Sequence, residues 1–184
     1  MRVVGGRLKG RNLASPSLRE IRPTADRLRE SLFNILIHTY DDPIANARVL
    51  DLFAGTGALG IEAISRGAAF ALFVDNGTEA RALLRNNVEA LGLGGMTKVF
   101  RRDATNLGAA HPVEPFSLVF LDPPYHMNLA EKALTSLRDG GWLKPNALLV
   151  VEEAKAAEFV APAGFEELER RVYDDTEFVF LRSA

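Results

Sequence analysis

The sequence contains no cysteine, and this absence excludes disulfide bonds and thiolate metal sites. Histidine is also scarce, and its three copies show no spacing that is typical of metal ligands. No apolar run is long enough and free enough of charge to span a bilayer, and residues 1–7 lack the apolar core of a signal peptide. We therefore expect a cytoplasmic protein that needs no metal and no membrane.

Length and composition are those of an ordinary globular protein. The chain has 184 residues, of which 47% are hydrophobic and 25% charged, so we expect one domain over residues 1–184. The net charge of −2 conceals an asymmetry, because residues 1–31 carry eight lysines and arginines against three acids, and residues 32–184 carry fourteen against twenty-one. This split predicts an anion-binding extension over residues 1–23, ahead of a core at 24–184; a solvated basic arm is the alternative.

The extension has the pattern of a β-hairpin. Two short segments, 2–4 and 11–13, flank a glycine-rich stretch, which indicates two strands and a tight connection. Such a hairpin displays Arg7, Lys9 and Arg11 as candidate contacts to an anionic partner.

Beyond the extension, apolar residues recur first at helical spacing and then as alternating strands and helices. A helix is predicted from an N-cap at Thr24 to about His38. The other predicted elements are helices at 57–66, 78–91 and 128–137, a weaker one at 104–110, and strands at 48–53, 70–75, 97–102, 117–121 and 147–152. This alternation indicates a parallel sheet covered on both faces. The tail predicts an antiparallel hairpin with strands at 167–173 and 177–181.

In open parallel sheets, ligands bind beyond the carboxyl ends of the strands. After the first strand, Gly55 and Gly57 lie in a turn that leads into a helix, a pattern shared with dinucleotide-binding proteins. With Asp75 as a ribose ligand, it predicts a nicotinamide or flavin enzyme. Asp51 argues against that, because a carboxylate just before the glycines repels a pyrophosphate and attracts a cation.

S-adenosylmethionine is a cationic ligand without phosphate, and its groups match the acids at the strand ends. Asp51 is predicted to lie near its amino-acid part, directly or through water, and Asp75 to accept hydrogen bonds from the ribose hydroxyls. Asp103 is predicted near the adenine amine, where Ala104 supplies a backbone contact. Asp75 or Asp103 alone is more typical of a loop residue or a helix cap, so the hypothesis depends on the order of the acids along successive strands.

A second motif, Asp122-Pro123-Pro124-Tyr125, follows the apolar run at 116–121. Two successive prolines fix two φ angles, remove two backbone donors and leave carbonyls free as acceptors. With the Asp122 carboxylate, these carbonyls suit the hydrogens of a planar NH2 group, and Tyr125 can stack on the ring that carries it. The motif favours the exocyclic amine of a nucleobase as substrate, although an Asp-Pro-Pro turn can also be purely structural.

These two motifs resemble those of class I S-adenosylmethionine-dependent methyltransferases. Within that superfamily the chain resembles the RsmD family, which methylates the guanine N2 atom in bacterial 16S rRNA. Residues 5–11 resemble the family's N-terminal hairpin, and residues 22–34 resemble its distinctive segment before the first strand. The similarity extends over nearly the whole chain.

The resemblance implies a Rossmann-like α/β fold with a mostly parallel seven-stranded sheet, and S-adenosylmethionine as cofactor. It implies that 16S rRNA or a 30S particle is the partner, and that the target guanine is extruded and held by the Asp122 carboxylate and the Pro123 carbonyl. The candidate residues are Asp122, Pro123, Pro124 and Tyr125 for catalysis, Asp51, Phe53, Gly55, Gly57, Asp75, Asn76, Asp103, Ala104 and Thr24 for the cofactor, and Arg7, Lys9, Arg11 and Arg22 for RNA.

Three other functions remain open at this stage. A double-proline turn can also present adenine N6 of DNA or a protein amide nitrogen. A nicotinamide-dependent oxidoreductase is disfavoured by Asp51, and a non-catalytic RNA-binding module is disfavoured by the intact motif at 122–125.

Overall fold

The computed structural model of the protein describes residues 1–16, 23–125 and 127–184, and only the backbone of Pro23 and Thr24. Its strands are β1 (Arg48–Leu52), β2 (Phe70–Val74), β3 (Thr97–Phe100), β4 (Phe116–Leu121), β5 (Leu143–Ala154), β6 (Phe165–Tyr173) and β7 (Thr176–Ser183). Its helices are α1 (Pro23–Thr39), α2 (Ala58–Ser65), α3 (Thr78–Ala90) and α4 (Leu129–Gly140).

The strands form one sheet in the order β3-β2-β1-β4-β5-β7-β6. The first five are parallel to their neighbours. β7 runs antiparallel to β5 and β6 antiparallel to β7, so the predicted terminal hairpin lies at one edge. The predicted fold class is confirmed.

Alternating side chains of the strands divide the core between the two faces of the sheet. In β1, Val49 packs in the cluster that also holds Phe33 of α1 and Ile61 of α2. Leu50, which points the other way, packs in the cluster that holds Leu134 of α4. Asp51 is two residues after Val49, so its side chain points to the same face of the sheet, toward α2.

The extension differs from the predicted β-hairpin. In its described residues the two arms are joined by an isolated bridge between Arg2 and Asn12 and by three backbone hydrogen bonds, which do not amount to a pair of strands. The connection between the arms contains a 3-10 turn at Gly6–Leu8. The reason is that side chains of α2 take the backbone donors that a ladder would use: the N–H groups of Val4 and Gly5 donate to Glu62. The extension is therefore a loop held against α2.

The weak helix predicted at 104–110 is absent: a turn lies at 104–105, and residues 106–110 have no regular secondary structure. The Asp103 carboxylate accepts the amide hydrogen of Thr105 at 2.9 Å, and the Leu107 amide donates to Ser136 Oγ at 2.7 Å. Gly108 then adopts a left-handed φ of 73°, which ends any helical run. Local side-chain contacts have replaced the helical hydrogen bonds.

Helix α1 begins at Pro23, so Thr24 lies in its first turn and is not the N-cap that the sequence predicted. Proline suits this first position because it has no amide hydrogen to satisfy. Arg22 lies outside the described residues. Within the described part of the chain, none of the helices is long and apolar enough to cross a membrane.

Candidate active site

The carboxyl ends of the parallel strands open into a cleft. From β1 the chain runs outward to β2 and β3 and then crosses back to β4 on the other side of β1. This reversal of strand order creates the crevice where ligands bind in this class of sheet. The cleft has a volume of about 570 Å³. Its walls include the turn after β1, the first turns of α1, the ends of β4 and β5, and the β6–β7 turn at 173–176.

The turn after β1 is shaped by left-handed residues. Phe53, Gly55 and Gly57 have φ values of 56°, 58° and 83°. A Cβ on Gly57 would collide with the Leu84 side chain, so this position requires glycine for space as well as for conformation. The turn feeds directly into α2, whose Ile61 amide donates to the Gly57 carbonyl at 2.9 Å.

Asp51 is a buried acid at the base of the cleft, with only 1% of its surface exposed. Its Oδ2 atom accepts the amide hydrogen of Gly60 at 3.0 Å. Burial raises the pKa of Asp51 to about 8, the Gly60 amide opposes this rise, and the charge of Asp75 adds to it. A cation in the cleft would relieve this unfavourable burial.

Asp75, just beyond β2, is oriented by two backbone donors. Its Oδ2 accepts from the Gly55 amide at 2.9 Å, and its Oδ1 accepts from the Gly77 amide at 2.8 Å. Each carboxylate oxygen has a further lone pair, so the side chain can accept two more hydrogen bonds without moving.

Asp103 and Ala104 lie with Asp75 and Asn76 around a small cavity of about 30 Å³ that also touches Phe53. The Asp103 side chain accepts hydrogen bonds from the Thr105 hydroxyl and amide, and these bonds lower its pKa below the ordinary value. Asp103 is exposed and Ala104 is buried.

The second motif lies across the cleft from the glycine turn. Pro123 is buried, whereas Asp122, Pro124 and Tyr125 are exposed. The Tyr125 hydroxyl lies 3.3 Å from Thr176 Oγ1 of the β6–β7 turn. This motif, Phe53, Asp75 and Asn76 together line a further cavity of about 580 Å³.

Asp122 keeps accessible surface along the cleft, which Asp51 and Glu152 also line. Desolvation by the surrounding protein raises the pKa of Asp122 well above the ordinary value, and the charges of Glu152 and Asp51 raise it further. Three acids therefore converge from the ends of β1, β4 and β5.

Glu152 is a site residue that the sequence reasoning missed. In the β4–β5 pairing, Leu121 lies opposite Val151, so the residues that follow them are neighbours at the same edge. The rule that singled out acids at strand ends applied to Glu152 as well. Glu152 is the last residue of the strand predicted at 147–152, as Asp75 is of the strand predicted at 70–75, so the same rule would have found it.

Arg29 also lines the cleft, although only 5% of its surface is exposed. Its Nε atom donates to the fully buried Glu62 at 3.3 Å, and its Nη2 atom donates to Asp26 at 2.8 Å and to the Arg2 carbonyl. Glu62 also accepts from Arg66 Nε at 2.9 Å. This buried network joins α1, α2 and the extension beside the cleft.

The structure brings most of the predicted cofactor and catalytic residues together around Phe53, which borders all three cavities. Gly57 is buried beneath the turn and supports it without lining the cleft.

The predicted RNA-binding residues lie elsewhere. Arg7, Lys9 and Arg11 are exposed on the extension. The Arg7 guanidinium lies 3.6 Å from the Met96 sulfur, and that of Arg11 donates to the Ala90 carbonyl at 3.1 Å. Two of the three cations are thus held against residues 90–96, at and just after the C-terminal end of α3.

Comparison with known proteins shows the family to which the chain is similar. The chain matches the family described as Conserved hypothetical protein 95 over residues 1–182. Ribosomal RNA small subunit methyltransferase D of Escherichia coli K12 is 40% identical over 152 residues, which cover 83% of this chain and 74% of that protein. The protein of the same name from Haemophilus influenzae is 37% identical over 164 residues, covering 88% and 83%.

Solved structures agree with the sequence comparison. The putative methyltransferase yhhF from Escherichia coli superimposes with a TM-score of 0.83 at 32% identity and covers 100% of this chain and 97% of its own. SMU.776, a putative methyltransferase complexed with SAH, has a TM-score of 0.64 at 19% identity over 88% of this chain and 50% of its own. At that identity the second likeness concerns the fold alone.

Proposed function

Because the chain belongs to the family described as Conserved hypothetical protein 95, whose relatives include ribosomal RNA small subunit methyltransferase D, we propose that it methylates the N2 amine of a guanine in 16S rRNA. S-adenosylmethionine is the proposed methyl donor. The observation that carries the proposal is the arrangement of the cleft, in which acids suited to a cationic ligand lie next to the motif at 122–125.

The residues of the cleft fit S-adenosylmethionine. Asp51 is a buried acid with one backbone donor and a raised pKa, and the ammonium group of the ligand would stabilise its charged form. Asp75 has free lone pairs on an oriented carboxylate, which suit the two ribose hydroxyls. Asn76, Asp103 and Ala104 line the small cavity next to Asp75, and they are proposed to contact the edge of the adenine that carries its amine.

The remaining cofactor candidates have supporting roles in this proposal. Phe53 forms the wall that the cofactor and substrate cavities share. Gly55 donates its amide to Asp75 and leaves the lip of the turn without a side chain. Thr24 lies in the first turn of α1, and we keep it as a proposed cofactor contact because the first turns of this helix border the cleft.

The substrate is proposed to enter between the motif and the β6–β7 turn. A guanine extruded from the RNA would place its amine against the Asp122 carboxylate and the Pro123 carbonyl. Tyr125, whose hydroxyl is steadied by Thr176, would stack on the ring. The rigid Pro123-Pro124 backbone fixes the direction of the acceptors.

Orientation is the main contribution of the protein to this reaction. Bound S-adenosylmethionine supplies an electrophilic methyl group on a sulfonium. The amine lone pair of guanine is delocalised into the ring, so holding it in line with that methyl group lowers the barrier. As positive charge develops on the nitrogen, Asp122 stabilises it more strongly in the transition state than in the ground state.

RNA is proposed to be held by the exposed cations of the extension, Arg7, Lys9 and Arg11, together with Arg22, which precedes α1. Their charges would contact phosphates, which position a nucleic acid without reading its sequence. The reaction is proposed to take place in the cytoplasm, where 16S rRNA is made and assembled.

One experiment tests the reaction and the acceptor together. The protein is incubated with methyl-labelled S-adenosylmethionine and undermethylated small-subunit rRNA, either naked or in 30S particles, and the nucleosides are identified by mass spectrometry. N2-methylguanosine is the expected product. Labelled N6-methyladenosine, or label in protein and not in RNA, would contradict the proposed substrate and leave the proposed cofactor standing.

A further inference from the structure

Glu152 lies beside Asp122 at the carboxyl edge of the sheet. The parallel register of β4 and β5, with Leu121 opposite Val151, makes them neighbours on adjacent strands, which run about 4.8 Å apart. Both side chains line the main cleft, and they share a hydrogen bond. Two carboxyl groups can be hydrogen-bonded to each other only when one of them carries a proton.

The surroundings of the pair favour that shared proton. Asp51 approaches from β1 and Glu153 from β5 itself, and both are acids that raise the pKa of Asp122. Arg29 of α1 is the cation that faces Glu152, and its guanidinium is already bonded to Glu62 and Asp26. From the β6–β7 turn, Asp174 and Asp175 add further acids to the wall of the cleft, and the Tyr125 hydroxyl lies at the same end.

Burial raises the pKa of Glu152, and the charge of Glu153 adds to the rise, whereas the hydrogen bond with Asp122 and the charge of Arg29 oppose it. Burial likewise raises the pKa of Asp122, and the charge of Glu152 is the next cause. Neighbouring like charges do not both ionise readily, so the pair titrates as a unit and keeps one proton above the ordinary range of a carboxyl group.

We propose that Glu152 is a positioning residue for methyl transfer: when the substrate amine binds, Glu152 takes up the proton of this carboxyl pair and donates a hydrogen bond to Asp122, so that Asp122 presents a fixed, ionised oxygen to the amine. The inference rests on the proposed function, in which Asp122 accepts hydrogen bonds from the amine. In the free protein the hydrogen bond between the two carboxyls raises the pKa of Asp122 and lowers that of Glu152, so Asp122 carries the proton. The substrate N–H groups stabilise charge on Asp122, and the proton therefore moves to Glu152 when the substrate binds.

The pair also provides a route for the proton that the reaction releases. When the bond from nitrogen to the methyl carbon forms and the bond from that carbon to sulfur breaks, the amine nitrogen is left with one hydrogen too many. That proton passes to Asp122, and water in the open cleft removes it from the pair. The nitrogen ends as a neutral secondary amine.

The test compares two substitutions with opposite expectations. In Glu152→Gln the amide N–H can still donate to Asp122, so kcat should stay within about threefold of the parent. In Glu152→Ala the donor is lost, and kcat should fall by about 10- to 100-fold, the value of one hydrogen bond to a charged group. Affinity for S-adenosylhomocysteine, measured by calorimetry, should change little in either variant. Equal losses of kcat in both variants, or none in either, would overturn the proposal.

A second measurement needs no RNA and separates this inference from the proposed substrate. A carboxyl whose pKa is raised by folding contributes stability that is fully present below its unfolded pKa and is lost as the pH rises through its folded pKa. The free energy of unfolding should therefore decline with pH less steeply in Glu152→Gln and in Asp122→Asn than in the parent. Asp139→Asn removes an exposed acid near the end of α4, which does not line this cleft, and it should keep the parent slope. If the free energy of unfolding of Glu152→Gln declined with pH as steeply as that of the parent, the pair would share no proton.

Discussion

The Gly55 amide donates to Oδ2 of Asp75 at 2.9 Å, and this bond, together with that from the Ala54 amide to the Val74 carbonyl, fastens the turn after β1 to the end of β2. Two parts of the proposed cofactor site are thereby fixed relative to each other before any ligand binds. Such preorganisation reduces the ordering that binding requires. We therefore expect that substitutions in the cofactor site change cofactor affinity, and that substitutions in the neighbouring motif or in the extension leave it unchanged.

Replacing Asp75 should weaken cofactor binding. In Asp75→Ala, affinity for S-adenosylhomocysteine should fall by about 1–3 kcal/mol, because charge-assisted hydrogen bonds to the ribose are lost. Isothermal titration calorimetry measures the change. Asp139→Ala, at an exposed acid near the end of α4, is the control and should bind as the parent does. Unchanged affinity in Asp75→Ala, or tight binding of NAD by the parent, would show that the pocket is assigned wrongly.

Binding should depend on pH through Asp51. Its folded pKa of about 8 means that the side chain is mostly protonated at neutral pH, and pairing with the ligand ammonium requires the charged form. Affinity for S-adenosylhomocysteine should therefore rise with pH, by about tenfold between pH 6.5 and 8. Asp51→Asn should bind more weakly and with a smaller pH dependence. A parent affinity that falls over this interval would contradict the assignment.

Asp122 should be needed for turnover and not for cofactor binding. In Asp122→Ala, kcat should fall by about 10²–10³, the usual effect of removing one oriented group that stabilises transition-state charge. Tyr125→Ala should also lose activity, because the ring that stacks on the substrate is removed. Calorimetry with S-adenosylhomocysteine is the matched control for both variants. A parallel loss of affinity and activity would mean that the motif serves the cofactor instead of the substrate.

The exposed cations of the extension should contribute to RNA affinity. Replacing Arg7, Lys9 and Arg11 by alanine should weaken binding to small-subunit rRNA and flatten its salt dependence by about one unit of slope for each phosphate that is no longer neutralised. A second triple variant, at the exposed residues Lys132, Lys144 and Lys155, removes the same charge elsewhere. If both triple variants bind RNA equally well at every salt concentration, the extension is a solvated arm.

Glu62 should be important for stability. It is fully buried and accepts bonds from Arg29 and Arg66 as well as from the extension. Glu62→Ala should lower the free energy of unfolding by about 3–5 kcal/mol, because two guanidinium groups lose their common partner. Urea unfolding measures this value, and Glu89→Ala at an exposed site on α3 should change it by less than about 0.5 kcal/mol. A loss as small as that of the control would show that water replaces the carboxylate.

The parallel part of the sheet was predictable because its strands are apolar on both faces and short. The predicted and observed bounds of β1 to β4 agree within two residues. β5 begins earlier than expected, at Leu143. Leu143 pairs with Phe116 of β4, and the register then shifts before Leu148 pairs with Leu118, so residues 144–146 belong to the strand although their sequence is not typical of one. That pairing is tertiary information, and the local pattern contains no trace of it.

The largest error, in the extension, has the same origin. The glycine pattern does predict a reversal of the chain, and the bridge between Arg2 and Asn12 confirms it. Regular strands do not form because Glu62 and Ser65 of α2 make hydrogen bonds with the backbone of the extension. Both residues lie more than fifty positions away in the sequence. A buried glutamate reads in the sequence as an ordinary helix acid, so nothing local predicts this competition.

The β6–β7 turn offers a means of redesign. Residues 173–176 form one lip of the cleft, while the strands that carry the turn pair at the edge of the sheet, away from β1 and β2. Insertions at a surface hairpin tip are usually tolerated. A library of longer tips, grafted between Tyr173 and Thr176, would therefore vary the proposed entrance for the acceptor. The residues proposed for the methyl donor would stay in place, so one exchangeable loop could be used to change which acceptors the enzyme takes.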